Sequence, residues 1–416
     1  DTEHYRFDTH RTIQNKKTMT IDFMNKMLKK YRVPGYALSV VYKNQTIISQ
    51  GFGTKQYGNA SNVVTQDTQF QIGSYTKTFI AMGIAKLVDE GNMTWTDSVK
   101  QHLPWFELQD KYAEKYTTIA DLLAMNSVFG AYEGDLAWAI GVVPTERELV
   151  KNLAYFDTTR PLRPGYAYSN LNFEILGQVI EYKTNMKWSD YLDKTFFKPL
   201  GMHHTYSRAF DVPNTNDLSF GHKFCGDKVA GPYSLQTSVE IFLSKENNYI
   251  AAGSILSTAA DLSKFSKFLL SKGEGIFKSP QSISDMITGR SFDTMMVKYG
   301  TMMSFSYNPD GGAFTAGYGF DIVGDVMYGF HYYDKGGDTI AFKTRNGFIP
   351  SEDLGVVLLA NAEPAGGIPE DLFISDRIRS YILGIFLNIP QSKLQKTYDE
   401  AIKAANALGP SNDCNP

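Results

Sequence analysis

One stretch of this chain constrains its fold more than any other: an apolar run that begins just after a serine and a lysine. The run extends to about Gly91, and its apolar residues are Phe79, Ile80, Met82, Ile84, Leu87 and Val88. On a helix these side chains point in nearly every direction, which is typical of a helix enclosed by the rest of a protein. We therefore predict a buried helix here, with other elements packed around it. A chain of 416 residues, 43% of them hydrophobic, can bury a core of that size.

Ser74 and Lys77 lie three residues apart at the start of this helix, so the Lys77 ammonium can reach the Ser74 hydroxyl on the same helical face. Gly73 allows the backbone to turn tightly into the helix, and a serine in the first turn lies at the positive end of the helix dipole. Burial lowers the pKa of an ammonium group. A neutral Lys77 would accept the serine proton and make Ser74 a nucleophile. The alternative is a chance match, with Ser74 as a helix cap and Lys77 in solvent.

A second motif, Tyr168-Ser169-Asn170, follows a Pro-Gly turn and precedes a helix predicted over residues 171–182. Tyr168 is expected to carry the proton of a leaving group if a neighbouring cation lowers its pKa from about 10. Asn170 is expected to point into the same cleft and to hold a substrate amide or the lysine. The alternative is that Tyr-x-Asn serves only the turn.

A third motif, Asp334-Lys335-Gly336-Gly337-Asp338, is predicted to lead into a strand over residues 339–348. Its two glycines allow the backbone of a ligand to approach closely. Lys335 offers a charge for an anionic group, and the Asp338 amide can donate a hydrogen bond to an oxyanion. The alternative is an ordinary Gly-Gly hairpin turn.

In this order and spacing, the three motifs resemble those of the serine β-lactamase and penicillin-recognising family, specifically its class C branch with the related esterases and D-amino-acid peptidases. The resemblance covers roughly residues 15–388. It implies an α/β fold, with an antiparallel sheet flanked by helices and an inserted, mostly helical subdomain. It also implies Ser74 as the acylated nucleophile, Lys77 as its proton acceptor and Tyr168 as general base and acid.

The same resemblance implies substrate-binding roles for the remaining motif residues. Asn170 would orient the substrate, and Lys335 would bind a carboxylate or stabilise the tyrosine. Gly336 and Gly337 would line the substrate site. The backbone N–H groups of Ser74 and Asp338 would form the oxyanion hole.

The sequence also departs from the family pattern. Lys335 is the residue of true class C β-lactamases, whereas many esterase and peptidase relatives have histidine. Gly336 replaces the hydroxyl residue usual in those β-lactamases, so we do not expect strong β-lactam hydrolysis. Asp338 places an acid beside the expected oxyanion hole, which disfavours anionic substrates. Residues 121–128 lack the His and Gly of the relatives' Leu-Leu-x-His-x-Ser-Gly phrase, which is expected to reshape a loop at the cleft.

The order of elements predicts a discontinuous α/β domain, residues 1–91 and 250–390, interrupted by a helical insertion, residues 92–249. Residues 391–416 are predicted to form a C-terminal helical tail. Within the first part, residues 1–17 are expected to form a loose arm before a helix over residues 19–31.

Four further elements are predicted from the local pattern. Residues 36–42 and 45–51 read as a hairpin around Lys43-Asn44. Residues 326–332 read as one strand, and residues 369–387 as one long helix.

Charge and composition limit the partners. A net charge of −3 and a pI near 6.2 show no excess of positive charge, so a nucleic acid partner is not expected. No run approaches the ~18 apolar residues of a membrane-spanning helix. No paired metal-ligand spacing is present among the seven histidines, so we expect neither a catalytic metal nor a cofactor. The oligomeric state is left open.

Cys225 and Cys414 are the only cysteines, and they either pair or are both free. Glycosylation sequons begin at Asn44, Asn59 and Asn92. The chain starts at Asp1 rather than at methionine, as expected after removal of a leader. Together these features favour a secreted or extracytoplasmic glycoprotein.

The leading functional hypothesis is a serine hydrolase that forms an acyl-enzyme with small esters, or with amides such as peptides containing D-residues. One alternative is an acyltransferase that passes the acyl group to a small-molecule acceptor. Another is a non-catalytic binding protein on the same fold. Substrate specificity is expected to depend on residues 129–140 and 291–315.

Overall fold

The computed structural model describes residues 10–139, 141–244, 248–306 and 314–410, together with Cys414 and Pro416. The helices are α1 Ile13–Lys30, α2 Thr76–Asp89, α3 Val99–His102, α4 Lys111–Tyr116, α5 Ile119–Leu123, α6 Asp135–Ala139, α7 Glu146–Asn152, α8 Asn170–Thr184, α9 Trp188–Leu192, α10 Ala259–Leu270, α11 Gln281–Met286, α12 Thr294–Tyr299, α13 Ile374–Phe386 and α14 Gln391–Asn406. The strands are β1 Gly35–Tyr42, β2 Gln45–Gly53, β3 Phe70–Gln71, β4 Gly221–Cys225, β5 Lys228–Tyr233, β6 Leu256–Ser257, β7 Ser291–Phe292, β8 Thr315–Ala316, β9 Ile322–Met327, β10 Phe330–Asp338, β11 Lys343–Ile349, β12 Leu354–Ala360 and β13 Ala362–Pro364.

An eight-stranded antiparallel sheet organises the molecule, in the order β2-β1-β12-β11-β10-β9-β8-β7. Strands β1 and β12 are buried along their whole length because helices cover both faces of the sheet. Alternate residues therefore serve two cores. Leu38 and Val40 pack on the side of α1 and α13, whereas Ala37 packs on the side of α2 and α10. The predicted fold class is confirmed.

The helix predicted to be buried is α2, and the prediction is confirmed. All of its residues from Thr76 to Ala85 are buried, together with Leu87. Helices α8, α9 and α11 pack against it. The turn that leads into α2 contacts strand β10 of the large sheet. The residues at the start of α2 therefore lie between the sheet and the helical part of the chain.

The first helix starts earlier than predicted. Helix α1 begins at Ile13, because the Thr12 side chain accepts a hydrogen bond from the Asn15 N–H and caps it. The expectation of a loose arm is therefore wrong for residues 13–17, and residues 1–9 lie outside the described part.

The predicted hairpin between β1 and β2 is confirmed, with φ values of +50° at Lys43 and +60° at Asn44. Positive φ at both central residues is typical of a two-residue hairpin turn that matches the twist of the strands.

Two predicted elements are wrong in their boundaries. Residues 326–332 do not form one strand, because the chain turns at Tyr328 and Gly329, where φ is +52° and +85°. The predicted long helix over residues 369–387 is a 3-10 turn, Pro369–Phe373, followed by α13.

The third motif also lies differently from the prediction. Lys335, Gly336 and Gly337 belong to strand β10 itself, and the turn follows at residues 339–342. The glycines therefore do not form a hairpin turn. They pair in register with β11, where Gly336 lies opposite Arg345.

Residues 92–249 hold helices α3 to α9, as expected, but also the unpredicted hairpin of β4 and β5. This hairpin joins β13 in a three-stranded sheet. The division into an α/β domain, an insertion and a tail stays a prediction. Cys225 at the end of β4 forms a disulfide with Cys414, with a Cα–Cα distance of 5.6 Å, so the paired alternative holds. No helix in the described ranges is long and apolar enough to cross a membrane.

Candidate active site

The backbone around Ser74 is shaped by a tight turn between β3 and α2. Gly73 adopts φ +52°, a conformation that glycine enters at little cost. A Cβ atom at Gly73 would also lie 2.9 Å from Thr339 Cγ2. The 3-10 turn Gly73–Tyr75 then leads directly into α2. Ser74 is therefore presented at the start of the buried helix, where it is half-buried.

Lys77 lies directly beneath the serine. Its Nζ atom is 2.9 Å from Ser74 Oγ and 2.7 Å from the Ala252 carbonyl oxygen. The side chain is fully buried. Burial, and then the charge of Lys335, hold the pKa of Lys77 well below 10.5. Lys77 is therefore suited to be neutral and to accept the Ser74 proton.

Tyr168 approaches the same hydroxyl from the other side, with its OH 2.5 Å from Ser74 Oγ. The Nζ atoms of Lys77 and Lys335 lie 4.9 and 5.3 Å from the centre of its ring. The expectation that a neighbouring cation lowers the pKa of Tyr168 is wrong. Burial, and then the charge of Asp321, raise the pKa well above 10. Tyr168 therefore stays protonated at neutral pH and is suited to donate a proton.

Asn170 is the first residue of α8, two positions after Tyr168. Its Nδ2 atom donates a 2.9 Å hydrogen bond to Asp135 Oδ2 on α6. It thus links α6 to the start of α8 and does not hold the lysine. The expectation that Asn170 orients the substrate stays a prediction.

Strand β10 lies directly against the turn that carries Ser74. A Cβ atom at Gly337 would be 1.9 Å from the Ile72 carbonyl oxygen and 2.9 Å from the Tyr75 nitrogen. Only glycine permits this approach. The next residue, Asp338, is therefore held beside the Ser74 turn. The oxyanion hole predicted from the N–H groups of Ser74 and Asp338 is compatible with this arrangement.

Lys335 has a partner that the sequence analysis missed. Its Nζ atom is 2.7 Å from Asp321 Oδ2, and its side chain is 2% exposed. Asp321 immediately precedes β9, and its N–H donates a 3.0 Å hydrogen bond to the Asp334 carbonyl oxygen. Because Ile322 pairs with Asp334 across the two strands, Asp321 lies next to Lys335. The register of β9 against β10 is the signal that would have revealed it.

The carboxylate of Asp338 also has a partner, Arg345 on β11. The guanidinium contacts both carboxylate oxygens, at 2.5 and 3.2 Å. Burial alone would raise the pKa of Asp338, but the charges of Arg345 and Lys343 and the hydrogen bonds from Arg345 together outweigh burial and hold the pKa at about 2. A Cβ atom at Gly336 would lie 3.0 Å from Arg345 Nη1. The Asp338 carboxylate, which the sequence places beside the expected oxyanion hole, is thus paired with the Arg345 guanidinium.

Two further carboxyl groups lie behind Lys77, and their roles were missed. Glu146 Oε1 accepts the Ala251 N–H at 2.7 Å, and Glu174 Oε1 accepts the Ala252 N–H at 3.0 Å. Burial raises the pKa of both, that of Glu174 well above 4.5. They fix the backbone at Ala251 and Ala252, and the Ala252 carbonyl oxygen accepts the hydrogen bond from Lys77. The two contacts join residues 105 and 78 positions apart, so no local sequence pattern signals them.

A cleft of about 560 Å³ opens over Ser74, Tyr168 and Lys335. Both regions expected to set specificity contribute to its walls. Tyr132 comes from residues 129–140, and residues 291–315 supply acidic, methionine and aromatic side chains. Ile140 and residues 307–313 lie outside the described part.

The comparison that decides the family is a match of the Beta-lactamase family model to residues 20–377. The chain belongs to the Beta-lactamase family. Among curated relatives, it is 26% identical over 254 residues to Protein flp of Staphylococcus aureus (strain COL), covering 58% of this chain and 47% of that protein. It is also 26% identical over 280 residues to Unguisins hydrolase ungD' of Aspergillus campestris (strain IBT 28561), covering 65% of this chain and 50% of that protein.

The fold of this Beta-lactamase family member has a solved counterpart. The octameric penicillin-binding protein homologue from Pyrococcus abyssi superimposes with a TM-score of 0.72 at 22% identity, covering 89% of this chain and 77% of that chain. The chain spans about half the length of the curated relatives named above.

Proposed function

We propose that this protein is a serine hydrolase that forms an acyl-enzyme on Ser74 with small esters, or with amides such as peptides containing D-residues. One observation carries the proposal. Ser74 Oγ is hydrogen-bonded at once to a buried lysine, at 2.9 Å, and to a protonated tyrosine, at 2.5 Å. A nucleophile within hydrogen-bond reach of a base is the arrangement that covalent catalysis requires.

In the proposed reaction, neutral Lys77 takes the hydroxyl proton as Ser74 attacks the substrate carbonyl. The N–H groups of Ser74 and Asp338 bind the resulting oxyanion, which is the contact that contributes most to such reactions. Tyr168 then protonates the leaving group and recovers a proton from Lys77. Water releases the acyl group by the reverse sequence of proton transfers.

The relatives support the general class of this reaction. The Aspergillus campestris relative is described as a hydrolase of unguisins, and the Pyrococcus abyssi structure as a penicillin-binding protein homologue. The proposal for this chain rests on its own site geometry, because fold alone does not determine activity.

Steady-state and burst kinetics with p-nitrophenyl acetate test the proposal. We expect a burst of one p-nitrophenol per chain, followed by slower turnover. Ser74→Ala should abolish both phases, whereas Ser49→Ala on β2 serves as the matched serine control and should retain them. Lys77→Ala should slow the burst by at least ~10²-fold. A folded wild-type protein with no activity on ester or amide substrates would leave only a binding role on this fold.

Product analysis in the presence of competing alcohols and amines separates hydrolysis from acyl transfer. Hydrolysis predicts the free acid as the main product at modest acceptor concentrations. A dominant acyl-acceptor product would contradict the hydrolase assignment and favour an acyltransferase.

We also propose that the protein works outside the cytoplasm. The Cys225–Cys414 disulfide supports this location, because such bonds persist in oxidising compartments. Glycan analysis at Asn44, Asn59 and Asn92 after expression in a secretory host tests it. Cysteines that are fully reduced in the native protein would contradict it.

A further inference from the structure

Each positively charged side chain among the described residues that line the cleft is paired with a carboxyl group of the protein. Among the described residues that line it, Lys335, Lys343, Arg345 and Arg379 each have a carboxylate oxygen within 3.5 Å. A substrate carboxylate that enters the cleft therefore meets cations that already pair with carboxyl groups of the protein.

Lys335 is the decisive one of these cations, because it lies over the ring of Tyr168, whose hydroxyl contacts Ser74. Its Nζ atom approaches the Tyr168 ring, and the charge of Lys335 lowers the pKa of Lys77. In this chain its ammonium faces Asp321 Oδ2 at 2.7 Å and the Gly336 carbonyl oxygen at 2.9 Å. Two of its three donors are thus engaged.

Asp321 is held in place and reaches the cleft. Its N–H bonds to the Asp334 carbonyl oxygen, which continues the pairing of β9 with β10 by one residue. Its side chain is 20% exposed and contributes to the cleft wall. A carboxylate brought to Lys335 would therefore lie close to a second, fixed carboxylate, and like charges in contact disfavour binding.

We propose that Asp321 makes this cleft selective for acyl substrates without a carboxylate beside the reacting carbonyl, namely uncharged or amine-bearing esters and amides. The inference rests on the proposed hydrolase function. Asp321 acts as a specificity-determining residue: it occupies Lys335 and repels anions. Carboxylate-bearing substrates, penicillin-type compounds among them, are accordingly poor substrates.

A pair of esters with the same acyl chain tests the proposal: p-nitrophenyl hydrogen fumarate, whose trans carboxylate cannot attack its own ester carbonyl, and its neutral methyl ester. Both use the same nucleophile and leaving group, so the ratio of their kcat/KM values cancels changes in the reactivity of Ser74. We expect the wild-type enzyme to prefer the neutral ester at least tenfold. Asp321→Asn, which frees Lys335, should shift the ratio at least tenfold toward the anionic ester.

Asp325→Asn is the matched control. Asp325 lies on β9, four residues after Asp321, and its carboxylate contacts His331 at the surface, so the variant loses one negative charge away from Lys335. It should keep the wild-type ratio. Asp321→Ser is the second variant, should Asp321→Asn fail to fold, and it should shift the ratio in the same direction.

A wild-type enzyme that hydrolyses the neutral ester but shows no preference overturns this inference and leaves the hydrolase proposal intact. An unchanged ratio in a folded Asp321 variant also overturns it. A wild-type protein that hydrolyses neither ester and gives no burst with p-nitrophenyl acetate overturns both proposals.

Discussion

Replacing Gly337 by alanine tests how strand β10 meets the turn that carries Ser74. The added Cβ would lie 1.9 Å from the Ile72 carbonyl oxygen, where a carbon–oxygen contact normally needs about 3.3–3.6 Å. The strand and the turn must therefore separate by roughly 1.5 Å. Overpacking of this kind costs about 1–3 kcal/mol of stability, so the protein should still fold. A displacement of ~1 Å at a reacting group costs about 10²-fold in rate.

The assay is the rate at which a fluorophosphonate probe labels the protein, with thermal unfolding measured in parallel. Gly337→Ala should remain folded and label at least ~10²-fold more slowly than wild type. Gly336→Ala is the control on the adjacent residue. Its Cβ would lie 3.0 Å from Arg345 Nη1, so this side chain needs to move by only a few tenths of an ångström, far less than the separation that Gly337→Ala requires. Its labelling rate should stay within about fivefold of wild type.

Two results would refute this reasoning. A folded Gly337→Ala variant that labels as fast as wild type would show that the contact between strand and turn does not position the site. Equal losses in the two glycine variants would show that the effect is a general disturbance of β10.

Three further predictions concern the proton acceptor, its support and the disulfide. Glu174→Ala removes a buried hydrogen-bond acceptor, which should lower the free energy of unfolding by about 1–3 kcal/mol, and it should lower kcat at least ~10-fold because the backbone that holds Lys77 loosens. Glu174→Gln retains the acceptor and should rescue most of the rate. Equal losses of kcat in both variants would contradict a positioning role. Lys77 must be neutral to react, so labelling should fall as pH drops through its lowered pKa. Lys335→Gln removes the positive charge that lowers the pKa of Lys77, so the pH at which labelling falls should move to a higher value. A pH–rate profile in which this fall stays in place or moves to lower pH would contradict the assignment of Lys77 as the proton acceptor. Replacing Cys225 and Cys414 by serine opens a link between residues 189 positions apart, which should lower the free energy of unfolding by about 2–5 kcal/mol in calorimetry. These two cysteines are not among the described residues that line the cleft, so Ser74 should be labelled at the wild-type rate, and slower labelling would contradict this expectation.

The parts of the fold that could be predicted from the sequence depend on local physical chemistry. The buried helix α2 follows from apolar residues on all its sides, and the first hairpin follows from Lys43-Asn44 at a two-residue turn. The relation of Ser74 to Lys77 is a property of one helical turn. It needed no knowledge of the rest of the fold.

The parts that could not be predicted depend on contacts between distant segments. Two glycines in a row suggested a turn, but Gly336 and Gly337 lie in a strand because β10 must pass close to the Ser74 turn. The raised pKa of Tyr168 reflects burial and the charge of Asp321, neither of which is visible in the Tyr-x-Asn motif. Asp321 itself emerges as the partner of Lys335 only once the register of β9 against β10 is known.

Peptide mapping by mass spectrometry after reaction with a fluorophosphonate tests the central claim most directly, namely that three distant segments converge on one reactive hydroxyl. We predict a single adduct on the peptide containing Ser74, no adduct in Ser74→Ala, and labelling slowed at least ~10²-fold in both Lys77→Ala and Tyr168→Phe. An adduct on any other residue, or full-rate labelling of Ser74 without Lys77 and Tyr168, would contradict the account.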